Sequence, residues 1–379
     1  MSIILSKFKS GQWEKQYEYQ SFFPNVIDVD WNIDNNEVLE LLSKADRKIG
    51  ELNAFSTLIP DVDFFIKMHI TKEATLSSKI EGTQTHVEEA LMKEQDINPE
   101  KRDDWSEVQN YIKAINEAIG NLERLPISNR LLKHTHYVLM QGVRGKLKQP
   151  GEYRTSQNWI GGASIKDATF IPPHPGRVDE LMSDLEKFIN NQTKLPPLIK
   201  AGIAHYQFET IHPFLDGNGR LGRLLIVLYL VNAGVLQKPA LYLSAFFEHN
   251  KALYYDNLTN VRTKSNLIQW LKYFLVGVYE TAENSINTFK AIISLKQGIE
   301  SEKIITLGKK SALAARFLML LFKNPIIDAT DTSELLEINI TTANRLIADF
   351  IRLDILHELT GFKRNRIFAF AKYVELFSS

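Results

Sequence analysis

The 379-residue chain contains no cysteine, which removes disulfides, thiolate nucleophiles and sulfur-ligated zinc from consideration. It also lacks net charge: Lys+Arg and Asp+Glu number 45 each, so no global field draws it toward nucleic acid or an anionic membrane. Long hydrophobic runs are missing too, and the longest, residues 224–231, is too short to cross a bilayer and predicts a buried helix instead. The opening stretch MSIILSKFKSGQWEKQ has neither a sustained apolar segment nor a small-residue cleavage site. No signal peptide is therefore expected, and the expected location is cytoplasmic, away from membrane. Strand signals are scarce, and no internal repeat or low-complexity tract interrupts the chain. What is present is a 44% hydrophobic composition arranged at helical spacing almost throughout. The chain reads as mainly α, with length for about two or three domains.

Along the chain, residues 1–30 are aromatic-rich and read as irregular, with Pro24 as a breaker. Helices are expected near 35–52, 61–80, 85–93 and 103–122, the third opening on a capping box of Thr85 and Glu88. Residues 151–175 carry two β-compatible pieces, 157–160 and 169–171, around Gly161-Gly162, the best hairpin candidate. Helical spacing resumes over 178–190, 198–211, 221–233, 251–261 and 267–295. From Lys310 onward, helices at 311–322, 332–337 and 341–353 precede a hairpin over 356–370, an order that suggests a winged helix-turn-helix. The expected division is an N-terminal helical region 1–100, a core 101–280, a connecting helix 281–309 and a winged-helix-like unit 310–379.

Chemistry concentrates in residues 212–223, HPFLDGNGRLGR. His212 can accept a proton near neutral pH, and Pro213 should hold it off the preceding helix. Asp216 can ligate a hard divalent cation. Gly217 and Gly219 let backbone N–H groups approach an anion at the start of a helix, whose dipole favours the same charge. Arg220 and Arg223 follow three apart on one helix face. A zinc site from His205, Glu209 and His212 competes less well, because Pro213 displaces His212 and two histidines do not enclose a glutamate in the metalloprotease manner. Neither the P-loop nor the dinucleotide fingerprint is met.

The stretch matches the H-x-F-x-D/E-G-N-G-R-x-x-R signature, so the chain resembles the Fic family of protein adenylyltransferases. The resemblance implies a Fic-type helical bundle with a β-hairpin flap, and transfer of AMP from ATP to a Ser, Thr or Tyr hydroxyl of a target protein, self-modification included. His212 would be the base, Phe214 the anchor of the loop and Asp216 the Mg²⁺ ligand. The nucleotide would be bound by Gly217, Asn218, Gly219, Arg220, Leu221, Gly222 and Arg223, with the two arginines on the β- and γ-phosphates. Gly219, Gly217 and Asp216 favour this branch over the kinase-like one, which has lysine at the position of Gly219. Upstream, Ser77, Glu81 and Gly82 match the family's S/T-x-x-x-E-G/N inhibitory motif, which implies that Glu81 competes for Arg223. Trp159 and Ile160 on the flap, and Tyr254 and Tyr255 near the adenine, are further expected neighbours of the nucleotide or target. Their alternative reading is ordinary packing.

Two other functions stay open at this stage. The same site could remove AMP, with Glu81 orienting water. The C-terminal unit could bind DNA through Lys363, Arg364 and Arg366, although acidic residues match its basic ones overall; a protein contact or a homodimer interface is the competing use.

Overall fold

In the computed structural model, which describes residues 2–58, 62–142, 148–361 and 364–378, the N-terminus departs from the irregular chain expected of it. Four short strands form: β1 (Ser2–Ile4), β2 (Gly11–Lys15), β3 (Gln20–Pro24) and β4 (Asp30–Asn32). β1 pairs in parallel with β4, and β2 lies antiparallel to β3 with Gly11 opposite Pro24. Segments this short carry too few alternations to announce themselves as strands.

Helices α1 (Asn36–Leu58), α2 (Val62–Ile80), α3 (Val87–Leu91), α4 (Arg102–Leu122) and α5 (Asn129–Leu139) follow. Asp61, the expected start of the second helix, lies outside the described residues. The capping box of α3 is not Thr85 and Glu88: His86 occupies the N-cap, and the Glu89 carboxylate accepts from its backbone N–H at 3.0 Å. Thr85 is buried instead. Helix α5 was not anticipated, although Ser128 caps it by accepting from the Leu131 N–H, and Leu131, Leu132, Val138 and Leu139 give it a core face.

The expected hairpin over 157–171 reduces to one antiparallel bridge between Ile160 and Phe170. Gly161 and Gly162 take positive φ of 70° and 73°, and the short turn Ile165–Asp167 intervenes before the chain returns. The loop is anchored by the Phe22 N–H donating to the Ile171 carbonyl. Beyond it run α6 (Val178–Asn190), α7 (Pro197–Ile211), α8 (Asn218–Asn232), α9 (Ser244–His249), α10 (Lys251–Lys264) and α11 (Leu267–Gly298). α7 is buried from Leu198 to Ile211, and α8 is buried from Arg220 to Leu230. Their apolar residues therefore surround the helix rather than forming a stripe, as expected of elements in the middle of a bundle.

The C-terminal portion contains α12 (Ser311–Lys323), β5 (Ile326–Asp328), α13 (Ala329–Leu336), α14 (Ile340–Arg352), β6 (His357–Glu358), β7 (Ile367–Ala369) and α15 (Ala371–Ser378). The sheet order is β5-β7-β6, antiparallel throughout. The strand β5 and the helix α15 are additions to the sequence expectation. Asp328 moves the start of α13 forward by accepting from the Asp331 N–H at 2.8 Å. Of the three basic residues expected at the wing, Lys363 lies outside the described residues, Arg364 is exposed and Arg366 is paired with Glu358. α15 folds back on α2, with Tyr373 against Phe65 and Phe377 against His69. One continuous hydrophobic core runs from Leu5 to Phe377. Among the described residues no helix is long and apolar enough to cross a membrane.

Candidate active site

His212 caps the C-terminus of α7 in the left-handed region, with φ 50° and ψ 61°. A non-glycine residue holds that conformation only when its surroundings impose it. Here Arg154, almost fully buried, supplies much of the constraint: its Nε donates to the His212 carbonyl at 2.9 Å, and its Nη2 donates to the carbonyls of Pro173 at 2.6 Å and Ile211 at 3.3 Å. Asn158 adds donors to the carbonyls of His212 and Phe214 at 3.3 and 2.8 Å. Phe214 is buried and stacks on His136, ring centroids 3.7 Å apart. Since the Gly151 N–H donates to Nδ1 of His136, its Nε2 carries the proton and donates to the Asp216 carbonyl at 2.9 Å. Burial lowers the His136 pKa to about 4, which keeps that neutral tautomer. Asn218 closes the loop from within, accepting from the Phe214 N–H and donating to its carbonyl, both at 2.8 Å.

The loop delivers the chain to α8 through Gly217, the N-cap, at φ 75°. A Cβ there would sit 2.7 Å from the Met140 sulfur, so only glycine fits both the angle and the space. Asp216 is half-exposed, and its Oδ1 accepts from the Gly217 N–H at 2.6 Å. A single hard oxygen donor at the mouth of a helix N-terminus fits the way Mg²⁺ is held in nucleotide sites, by one or two carboxylates plus substrate phosphates. Among the described residues there is no cluster of three metal-binding side chains.

Both arginines of α8 are buried and already paired. Arg220 Nη1 lies 3.2 Å from Glu107 Oε2, with Nη2 3.9 Å from Asp216. Arg223 donates from Nε to Ser77 Oγ at 2.9 Å, and from Nη2 to the Ser77 carbonyl at 2.8 Å and to Glu81 Oε1 at 2.7 Å. Glu81 itself remains 37% exposed. Burial acts to raise its pKa, but Arg223, aided by Arg220 and His212, wins and holds the carboxyl below its ordinary value. Gly82 follows at φ 111° and ends the helix region. A Cβ on Gly219 would fall 2.3 Å from Glu81 Oε1. The Glu81 carboxylate thus rests against the glycine backbone at the amide-rich start of α8.

Other expected neighbours divide. Trp159 is 41% exposed on the loop, whereas Ile160 spends its backbone on the bridge to Phe170. Tyr255 is 39% exposed, but Tyr254 is 1% exposed and belongs to the core. His205 Nδ1 donates to the Gly222 carbonyl at 2.8 Å, so its Nε2 accepts from the Tyr254 hydroxyl at 2.9 Å. With both nitrogens engaged, His205 is a structural histidine rather than a zinc ligand. Leu221 is buried. Gly222 faces Glu209, whose Oε1 lies 2.1 Å from where its Cβ would be. Sequence reasoning did not single out Arg154, Asn158 or Glu73. The last of these, buried on α2, accepts from Ser244 Oγ at 2.6 Å and from the Tyr111 hydroxyl at 3.0 Å. Its only sequence signal was a spacing of four from Ser77 and eight from Glu81.

Known structures share the fold. A Fic family protein from Desulfovibrio desulfuricans superposes with TM-score 0.56 at 19% identity over 88% of this chain and 96% of that one. A Fic domain containing signaling protein from Bacteroides thetaiotaomicron gives 0.53 at 19% identity over 67% and 97%. The chain belongs to the Fic/DOC family, whose N-terminal region matches residues 39–120 and whose Fic domain matches residues 126–230. Among curated relatives, the Protein adenylyltransferase Fic of Drosophila melanogaster is 42% identical over 86 residues, 22% of this chain and 16% of the relative. That of Culex quinquefasciatus is 34% identical over 145 residues, 38% and 24% of the two. The chain thus spans less than a quarter of the length of these relatives.

Proposed function

We propose that the chain is a protein adenylyltransferase that moves AMP from ATP to a hydroxyl side chain of a target protein, and that Glu81 holds it inactive at rest. The observation that carries this reading is the 2.7 Å contact between Glu81 and the buried Arg223 at the rim of the α8 cradle. In the reaction, His212 takes the proton of the target hydroxyl. The oxygen attacks the α-phosphorus, the bond to the bridging oxygen breaks, and pyrophosphate leaves. The amides at the start of α8 receive the α-phosphate oxygens, while Arg220 and Arg223 neutralise the β- and γ-phosphates, a division of labour in which positioning and charge do most of the work. Asp216 would hold Mg²⁺, which supplies further charge neutralisation on the phosphates. While Glu81 stays on Arg223, the γ-phosphate has no partner there, and bound nucleotide lies out of line for attack.

The C-terminal unit fits a winged helix-turn-helix by its element order, and the loop around Trp159 and Ile160 is the surface against which a target segment would lie. The Arg366–Glu358 pair leaves the wing a weak phosphate contact, which favours a protein role for it.

Incubation with α-labelled ATP tests the main reading. Glu81→Gly should label protein at least tenfold more than wild type, and adding His212→Ala should abolish the label. Equal labelling of wild type and Glu81→Gly would refute the autoinhibition, and label surviving His212→Ala would refute the base.

A further inference from the structure

The imidazole of His212 is only 18% exposed, and its Nδ1 has no hydrogen-bond partner. The nearest carboxylate is one turn back on α7: Glu209 Oε2 stands 4.0 Å from that nitrogen. Glu209 is 5% exposed, and its Oε1 is likewise buried without a partner. A buried carboxylate with one unpartnered oxygen, its other oxygen 4.0 Å from an imidazole nitrogen that itself lacks a well-formed hydrogen bond, is an arrangement that folded interiors rarely keep without a use. Room for the carboxylate is provided by Gly222, since any side chain there would meet Glu209 Oε1 at 2.1 Å. A signature glycine of α8 is therefore also the seat of this acid.

We propose that Glu209 is the positioning residue of His212: its carboxylate receives the Nδ1–H, leaves Nε2 free to accept the target hydroxyl's proton, and carries the counter-charge to the imidazolium that results. The inference rests on the AMP-transfer reading of the site. A ring rotation that shortens the gap by about 1 Å completes the hydrogen bond. Proton and charge balance within the pair. The hydroxyl proton arrives at Nε2, the ring becomes cationic, and ionised Glu209 makes the two together neutral; the proton leaves after pyrophosphate departs.

The surroundings tune this pair. Glu209 is faced by Arg223 from α8, Glu81 from the turn after α2, and Arg262, Tyr254 and Tyr255 from α10, while His212 is faced by Arg262, Arg154, Glu81 and the Glu209 backbone. Arg262 spends two of its donors on the Glu209 carbonyl and on Thr210 Oγ1. Burial raises the Glu209 carboxyl to about 7 against the pull of Arg223, and lowers His212 to about 3. Below neutral pH the carboxyl is thus protonated and supplies no counter-charge. Above it the pair is ready.

The test uses the full chain carrying Glu81→Gly, assayed for AMP transfer between about pH 5 and pH 9, with and without Glu209→Gln. The parent, which lacks the Glu81 charge that helps to raise Glu209, should show an activity limb below pH 7. Glu209→Gln should remove that limb and slow transfer roughly tenfold or more, while Glu209→Asp should keep a limb at reduced rate. Independently of turnover, ¹⁵N spectra of histidine-labelled protein should report the Nδ1–H tautomer of His212 in the parent and a changed tautomer ratio in Glu209→Gln. An unchanged pH profile with unchanged ring shifts would overturn the proposal. If Glu81→Gly transfers no AMP at all, the activity reading falls, and the ¹⁵N spectrum alone decides whether Glu209 holds the ring.

Discussion

A methyl group at residue 222 would land 2.1 Å from Glu209 Oε1 and 3.1 Å from the ring of Phe208, and both neighbours are buried. Ordinarily Gly→Ala within a helix gains about 1 kcal/mol. Overpacking of a site that cannot yield costs about 1–3 kcal/mol and should win. Gly222→Ala should therefore lower the urea midpoint in wild type, yet raise it when Glu209→Ala has vacated the space. Gly219 offers a contrast: its would-be clash is with the far end of a flexible side chain, the half-exposed carboxylate of Glu81 that Arg223 holds. Residues of the contiguous motif, such as His212, Asp216 and Arg223, could be singled out because they stand together in a short run of letters, and the fold does bring them to one loop and the helix after it. Arg154 was not, because its task depends on a fold that brings it to a carbonyl 58 residues away. Asn218, expected at the anion, uses its side chain to staple the loop at Phe214.

Glu73 and Ser77 on α2, and Glu81 in the turn just past its end, follow one another at spacings of four. Glu73 is fixed to α9 and α4 through Ser244 and Tyr111, and Ser77 and Glu81 grip Arg223. Ser77→Ala removes one hydrogen bond to a buried guanidinium, worth about 1.5–3 kcal/mol. Its labelling with ATP should fall between those of wild type and Glu81→Gly, a comparison made in one gel. Helices with a long apolar stripe or a uniformly apolar run were read from sequence to within a few residues, as with α6 and α7. Short elements escaped. The six residues of α9 and the three-residue strands give the periodicity too little length, and the expected hairpin pairs only at Ile160 and Phe170, with two adjacent positive-φ glycines in the turn between them.

Three buried histidines and the part-buried His212 mark the molecule as a whole. Burial lowers His69, His205 and His212 to about 3 and His136 to about 4. Each must be neutral in the fold, whereas an unfolded histidine titrates near 6.5. Their stabilising contribution is complete above pH 6.5 and is lost progressively as pH falls toward 3 to 4. Glu209 acts in the opposite sense: its raised pKa favours the fold at low pH, and that advantage fades between about 4.5 and 7. Glu73, Asp46 and Asp184, also raised by burial, act with Glu209, whereas the lowered carboxyls of Glu81, Glu89 and Asp328 act with the histidines, and calorimetry should find Tm falling as pH drops below 6.5. Glu209→Gln should gain stability relative to wild type as pH rises from 4.5 to 7, and the difference should level off above that. His69 sits between Phe289 of α11 and Phe377 of α15, so its protonation would strike where the C-terminal helix joins the bundle.

The contact between Glu81 and Arg223 joins two parts of one chain. A carboxylate attached in this way is a tethered ligand, present at the cradle at an effective concentration on the order of millimolar or more. Diluting the protein does not release it, and a nucleotide competing for Arg223 competes against that fixed local concentration. Whatever frees the arginine must turn the Glu81 side chain away or shift the end of α2 that carries it.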